Sequence, residues 1–245
     1  MLTIASYNTH FGVDRHGQPF DVIAAIAALD ADVVALQEVW QPHDTGRSFA
    51  ADAAEQLGYE VHEAPLAPGL ITHRQDLVTR HEQSEGMWGL ALLSRVPSRA
   101  RPTIPLGRIA LDRAARVALP VEIEGGPVVV VTHISHRLFG SPRQIRRVAR
   151  VLDPDGEPTV VLGDFNLWGP PVGLLFGDGW TRPVRGRTWP AWRPHSQIDH
   201  IVCNRSVAAR DGEVLAMTPS DHRPVRAVVD VAVRGGRRPP ATPAT

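Results

Sequence analysis

Asp164 and Asn166 close the stretch "VVLGDFN" at residues 160–166. Side chains along a strand alternate with a period of two, so the pair is expected on one face at the strand's C-terminal end. A carboxylate and an amide so placed either cap a turn or grip a reacting phosphate. Other apolar runs also end on chemically capable residues. Asn8 ends "LTIASYN" and Glu38 ends "VVALQE". His133 follows "VVVVT", Asp199 and His200 sit within "QIDHIVCN", and Asp221 and His222 immediately precede the last strand-like run.

Each of these has an ordinary explanation when taken singly. Asn8 can be a turn residue, Glu38 a solvated rim residue, and His133 and His222 satisfied structural histidines. "SDH" at 220–222 can be an Asx-type turn. As a set they read differently, because a carboxylate beside buried strands is costly unless it is paired or bound to a cation. A hard cation such as Mg²⁺ takes a few protein oxygens, keeps several waters and accepts the rest from substrate phosphate. Asn8, Glu38 and Asp221 offer that oxygen chemistry, while His133 and His222 offer groups that exchange protons near neutral pH.

Composition narrows the class. The chain has 245 residues, 43% of them hydrophobic, enough for a full core. Its 26 basic and 26 acidic residues balance, so no global positive field favours nucleic acid. Every basic residue is Arg. The absence of Lys excludes P-loop nucleotide hydrolases, protein kinases and pyridoxal enzymes. A single Cys203 excludes intramolecular disulfides and a cysteine-rich zinc cage. The opening "MLTIASYN" lacks the pattern of a secretory signal, and the longest apolar run is too short to span a membrane. A soluble, cytoplasmic monomer is the expectation.

The elements that must position these residues follow from periodicity. "LTIASYN", "DVVALQEV", "YEVHEA", "MWGLALLSR", "IDHIVC" and "PVRAVVDVAV" have strand character. "ARVALPVEIEGGPVVVVTHIS" is expected to be a hairpin turning at Gly125-Gly126. Helical spacing appears in "FDVIAAIAALDA" and in "RSFAADAAEQLG", with Gly58 as its stop. It appears again in "SPRQIRRVARVLD", where Ser141, Pro142 and Gln144 suggest a capping box. Residues 65–86 are polar and punctuated by Pro and Gly, which predicts a surface loop; the tail from 234 to 245 is expected to be disordered. One domain, residues 1–233, is expected.

In sequence order, "SYNTHFG", "DVVALQEV", "VVVVTH", "VVLGDFN", "QIDHIV" and "PSDHRPV" resemble the signatures of the endonuclease/exonuclease/phosphatase superfamily. That group includes deoxyribonuclease I, exonuclease III-like repair enzymes, bacterial sphingomyelinases and inositol polyphosphate 5-phosphatases. The resemblance covers residues 3–233. It implies an α+β fold of two packed, mostly antiparallel β-sheets flanked by helices, a four-layer α/β/β/α sandwich with the site at one end. It also implies a Mg²⁺- or Mn²⁺-dependent phosphoester hydrolase in which water attacks phosphorus directly.

By the same resemblance, Glu38 is the principal metal ligand, Asn8 lies in or beside the metal's ligand set, and Asp221 is a further metal-side carboxylate. Asp164 orients and deprotonates the attacking water, and Asn166 donates to a phosphate oxygen. His222 faces the phosphoryl group with its ring held by Asp199, and His133 stands near the leaving group. Exonuclease III-like enzymes usually carry Tyr where this chain has His133, which leans toward the deoxyribonuclease, sphingomyelinase and phosphatase branches.

A phosphodiester is the expected substrate, with nucleic acid the first polymer and a phosphomonoester or lipid head group the alternative. His10, placed on the strand face of Asn8, and Arg116 are candidate substrate contacts. "WTRPVRGRTWPAWRPHSQ" (180–197), which has no acidic residue, either meets phosphate and stacks on a ring or packs beneath a Pro-stiffened loop. His73, Arg74, Arg80 and His81 fall in the expected solvated loop. Two rivals remain: a zinc hydrolase built on His133, His136, His200 and His222, which lacks the usual His-x-His-x-Asp-His run, and a catalytically inactive binding module on the same scaffold.

Overall fold

The computed structural model describes residues 1–75, 80–137, 139–216 and 219–231, with 72–75 and 80–83 described by their backbone alone. β1 (Leu2–Asn8) turns Ile4 toward one layer and Ala5 and Tyr7 toward another, and all three are buried. The next elements are α1 (Val22–Ala27), β2 (Val33–Pro42), α2 (Phe49–Leu57), β3 (Glu60–Gln75) and β4 (Arg80–Ser94). Then come β5 (Ser98–Ala100), β6 (Ile104–Arg108), β7 (Ala115–Ile123) and β8 (Val128–His133). α3 (Ser141–Val151), β9 (Thr159–Asp164), α4 (Gly169–Phe176) and β10 (Trp180–Thr181) follow. β11 (Asp199–Asn204), β12 (Val207–Val214) and β13 (Val225–Val231) complete the order.

One sheet runs β12-β13-β1-β2-β4-β3 and the other β10-β11-β9-β8-β7-β5, with β6 also on β7. Only β1–β2 and β8–β9 pair in parallel; the remaining ladders are antiparallel. Ile4, Val33, Leu92, Val131 and Leu162 fill the space between the sheets. α1 and α2 cover the outer face of the first sheet through Ile26 and Ala53 on Val34 and Leu36, and α3 and α4 cover the second through Ile145 and Val172 on Val130 and Val161. The central strands are therefore buried on both faces, which is why they read as continuous apolar runs. This is the expected four-layer sandwich.

Two local expectations change. Ser141 does not cap α3: its hydroxyl donates to Ser135 O (2.7 Å), and Gln144 accepts from Ser135 N (2.9 Å) and donates to Gly107 O (2.9 Å). The apparent capping box instead pins the loop after β8. Residues 65–75 and 80–86 belong to the paired strands β3 and β4, which run from Glu60↔Ser94 to Gln75↔Arg80, where a loop was expected. Main-chain pairing beyond the sandwich needs no apolar alternation. Its glycines are the room it requires, since a Cβ on Gly86 would meet Gln41 O at 2.4 Å. The side chains of His73, Arg74, Arg80 and His81, and the tail from 234, lie outside the described residues. β12 carried no expectation: it is an edge strand, half exposed and bulged between Arg210 and Glu213.

Candidate active site

β1, β2, β8, β9 and β11 all bring polar residues to one end of the sandwich. β8 and β9 run in parallel register with His133 opposite Asp164, and Asp199 of β11 pairs with Asp164 from the other side. Gly163 makes this approach possible: its φ is +145°, and a Cβ there would lie 1.9 Å from Thr132 O. β2 continues past Glu38 to Pro42, but the register slips between Gln37 and Val39, and Glu38 has φ +56°. The bulge re-aims its carboxylate.

Asn8 Nδ2 lies between two carboxylates, 3.3 Å from Glu38 Oε1 and 3.2 Å from Asp164 Oδ2, while its Oδ1 accepts from His10 N at 3.0 Å. Asn8 is thus presented as a donor to the acids. Asp164 Oδ1 accepts from Asn166 N (2.7 Å), and Asn166, at φ +47°, donates its amide to Ile134 O (3.0 Å) and Asp164 Oδ2 (3.3 Å). β9 ends at Asp164, so the pair is joined by an Asx turn and does not share a strand face.

His222 Nδ1 lies 3.0 Å from each oxygen of Asp199, and its Nε2 is 3.9 Å from both Asp164 Oδ2 and Asp221 Oδ1. His133 Nε2 is 3.4 Å from Asp164 Oδ2 and 3.9 Å from Glu38 Oε1. The turn carrying His222 is tied to β1, because Ser220 Oγ donates to Asn8 O (2.7 Å) and accepts from His222 N (3.2 Å).

The electrostatics separate the two imidazoles. Burial opposes charge on His222, but Asp199 outweighs it and raises the pKa to about 10. Burial, then the Arg116 charge, lowers His133 well below the ordinary range, so it stays neutral. Burial raises Asp164 to about 7, and burial likewise raises Glu38. The site holds one imidazolium, one neutral imidazole and a carboxyl group poised near neutrality.

Glu38 Oε2 and Asp221 Oδ1 are buried, and among the described residues no hydrogen bond reaches either one, with the His10 and His222 rings 3.8 and 3.9 Å from Asp221 Oδ1. Trp189 Nε1 donates to Asp221 Oδ2 at 3.2 Å, leaving Oδ1 directed at the site. Two bare carboxylate oxygens of this kind suit a hard divalent cation. Ligand-type atoms of Asp164, Asp199 and His222 also lie within 4.8 Å of one another. There, however, both Asp199 oxygens are already engaged by the imidazole, so the Glu38–Asp221 side fits a cation better.

Arg116 is not a surface residue. It is buried, pairs with Asp112 (3.1 Å), donates to His133 O (3.3 Å) and lies 4.9 Å from the Trp88 ring centroid. His10 sits in a turn (His10–Gly12) beyond β1, with Nδ1 at 3.0 Å from Val13 O and 3.8 Å from Asp221 Oδ1. His200 points to the other face, bonded to Leu167 O, and His136 lines the cavity without joining the cluster; together they do not make a zinc site. In 180–197, Trp180 packs on Phe176, Trp189 reaches Asp221 and Trp192 is exposed under Arg15.

Glu38, His133, Asp164, Asn166, Asp221 and His222 open into a cavity of about 770 Å³. Its lining includes the aromatic rings of Phe11, Trp40 and Trp88 and the arginines Arg113, Arg116 and Arg137, with Arg116 stacked against Trp88. Trp88 and Asp112 went unread in the sequence, because nothing local marks a Trp or an Asp that acts through another side chain.

A model of the endonuclease/exonuclease/phosphatase family matches residues 5–222. The uncharacterized protein YbhP of Escherichia coli is 25% identical over 92% of this chain and 95% of its own. An endonuclease/exonuclease/phosphatase structure from Beutenbergia cavernae superposes with a TM-score of 0.70 at 23% identity, covering 94% of this chain and 72% of that one. A mannosyl-6-phosphatase from Bacteroides thetaiotaomicron gives 0.63 at 15% identity, covering 94% and 100%. The fold is therefore shared with these structures. No helix among the described residues is long and apolar enough to cross a membrane. The chain belongs to the endonuclease/exonuclease/phosphatase family, whose members are phosphoester hydrolases.

Proposed function

We propose that this protein hydrolyses a phosphodiester with the help of Mg²⁺ or Mn²⁺ held by Glu38 and Asp221. The observation that carries this reading is the pair of buried carboxylate oxygens without hydrogen bonds, set beside Asp164 and the His222–Asp199 pair. Asn8 holds Glu38 and Asp164 at a fixed separation. The cation, when bound, neutralises phosphate charge and stabilises the departing oxygen.

The chain's own residues do the rest. Asp164 takes a proton from water as the water oxygen bonds to phosphorus and the opposite P–O bond breaks in line. Its raised pKa suits a base that works near neutral pH. The His222 imidazolium, fixed by Asp199, faces the phosphoryl oxygens as their negative charge grows. Neutral His133 lies against both acids and holds its ring beside the leaving oxygen.

The aromatic wall of Phe11, Trp40 and Trp88 extends the cavity past the phosphate and leaves room for a second substituent, which favours a diester. A panel of DNA, RNA, sphingomyelin, inositol phosphates and small diesters, run with metal, tests this. Turnover of diesters above the matching monoesters is expected. Faster monoester turnover throughout would overturn the assignment.

A further inference from the structure

Of the eight large apolar side chains exposed among the described residues, five belong to one end of the molecule. Leu70 lies on the β3–β4 hairpin beyond the end of β2, and Leu111 lies between β6 and β7. Phe139 follows β8, Trp168 follows β9, and Trp192 precedes β11. The register fixes these positions: β8 and β9 end together, β11 starts against the end of β9, and β7 starts against the end of β8. Leu70 and Leu111 line the cavity, and Phe139, Trp168 and Trp192 lie on segments at the same end of the sandwich. Leu111 and Phe139 are 83% and 90% exposed, too exposed to serve the core.

Three segments at this end are rich in arginine although the chain is neutral, and the acids Glu38, Asp164, Asp199 and Asp221 lie at the ends of other segments there. Segments 104–116, 134–143 and 180–197 carry nine arginines and one acidic residue, Asp112, which Arg116 neutralises. Arg113 and Arg137 lie on the cavity wall, and Arg137 also donates to Leu111 O at 2.9 Å, which sets a charge beside an apolar tip.

We propose that this end of the sandwich is a peripheral docking surface for an anionic phospholipid bilayer. Separate apolar tips on five segments, interleaved with arginines, match an interface of acyl chains below anionic head groups. A nucleic acid would be served by the arginines and tryptophans alone and gains nothing from Leu70, Leu111 or Phe139. Docking would place the cavity mouth against lipid head groups. Binding is read here without turnover, so it stands or falls separately from the hydrolase reading.

The test is cosedimentation of the full chain, in chelator, with phosphatidylcholine vesicles containing phosphatidylglycerol and with phosphatidylcholine alone. Binding to the anionic vesicles only, weakened by salt, is expected. Leu111→Ser combined with Phe139→Ser should weaken it by about tenfold or more. Arg113→Gln should weaken it by about fivefold. Circular dichroism and thermal melts identify any variant that fails to fold, and quenching of native tryptophan fluorescence by brominated lipid reads the same contact in the unmutated protein. The proposal is overturned by absence of both sedimentation and quenching. It is equally overturned by unchanged affinity in the folded double variant, by binding to DNA or RNA in preference to vesicles, or by a self-associated dimer that the double variant dissolves.

Discussion

His222 Nδ1 sits 3.0 Å from both carboxylate oxygens of Asp199, and this symmetric grip keeps a buried imidazole charged. The pairing orients Nε2 toward Asp164 and the cavity. Asp199→Asn keeps the shape and removes the charge. Loss of kcat on the order of 10²-fold with KM little changed is expected, by comparison with other electrostatic and proton-transfer groups. The His222 ring signals in NMR should also titrate at lower pH. An unchanged rate would mean that the grip is structural only.

Glu38 has a buried oxygen with no hydrogen bond, so a divalent cation should stabilise the folded chain. Thermal melts are expected to rise with Mg²⁺ or Mn²⁺ in the wild type and to stay flat for Glu38→Gln. Without metal, Glu38→Gln should melt above the wild type, because it removes a buried, unsatisfied charge. An equal metal-induced shift in both proteins would place the cation elsewhere.

Acid stability should depend on His200. Burial holds its folded pKa at about 4, against an ordinary value of 6.5, with Nε2 bonded to Leu167 O. The unfolded chain therefore binds the extra proton between these values, and stability is lost as pH falls from about 6.5 toward 4. By pH 5 the loss attributable to this group is about 2 kcal/mol. His200→Gln retains a donor and should show a shallower fall in urea midpoint between neutral pH and pH 5. Parallel profiles would contradict the assignment.

Arg116 clamps Asp112, the His133 carbonyl and the Trp88 ring at once. Arg116→Lys keeps the charge but not the fork, and should destabilise by about 2 kcal/mol as Asp112 loses a bidentate partner. In the 180–197 segment, substitutions at Arg187, Arg193 or Trp192 should raise KM more than they lower kcat if they only hold substrate. Trp189 is the exception, because its indole is bonded to Asp221.

Much of this arrangement is legible in the sequence. The strands that deliver Asn8, Glu38, His133, Asp164 and Asp199 are buried on both faces, so their apolar runs and polar ends stand out in the sequence. The Glu38 bulge was not legible, because the slip between Gln37 and Val39 is a backbone event with no side-chain mark. Residues 65–75 and 80–86 are illegible for the opposite reason: their main-chain pairing continues past the end of β2 and needs no apolar pattern. Arg116 looks like any strand arginine in the sequence, because the fold that brings Asp112, four residues earlier, to within 3.1 Å leaves no local mark. "GDFN" proved to be both a turn and a site: Asp164 Oδ1 closes the Asx turn with Asn166, while Oδ2 faces Asn8 and the two histidines.

The central claim, metal-dependent attack by water with Asp164 as base, is tested most directly by hydrolysis of an activated aryl phosphodiester in chelator and after restoring metal. Wild-type activity should vanish in chelator and return with Mg²⁺ or Mn²⁺, and folded Asp164→Asn should stay on the order of 10²-fold or more below it with metal present. Undiminished hydrolysis in chelator, or a wild-type rate in Asp164→Asn, would contradict the account.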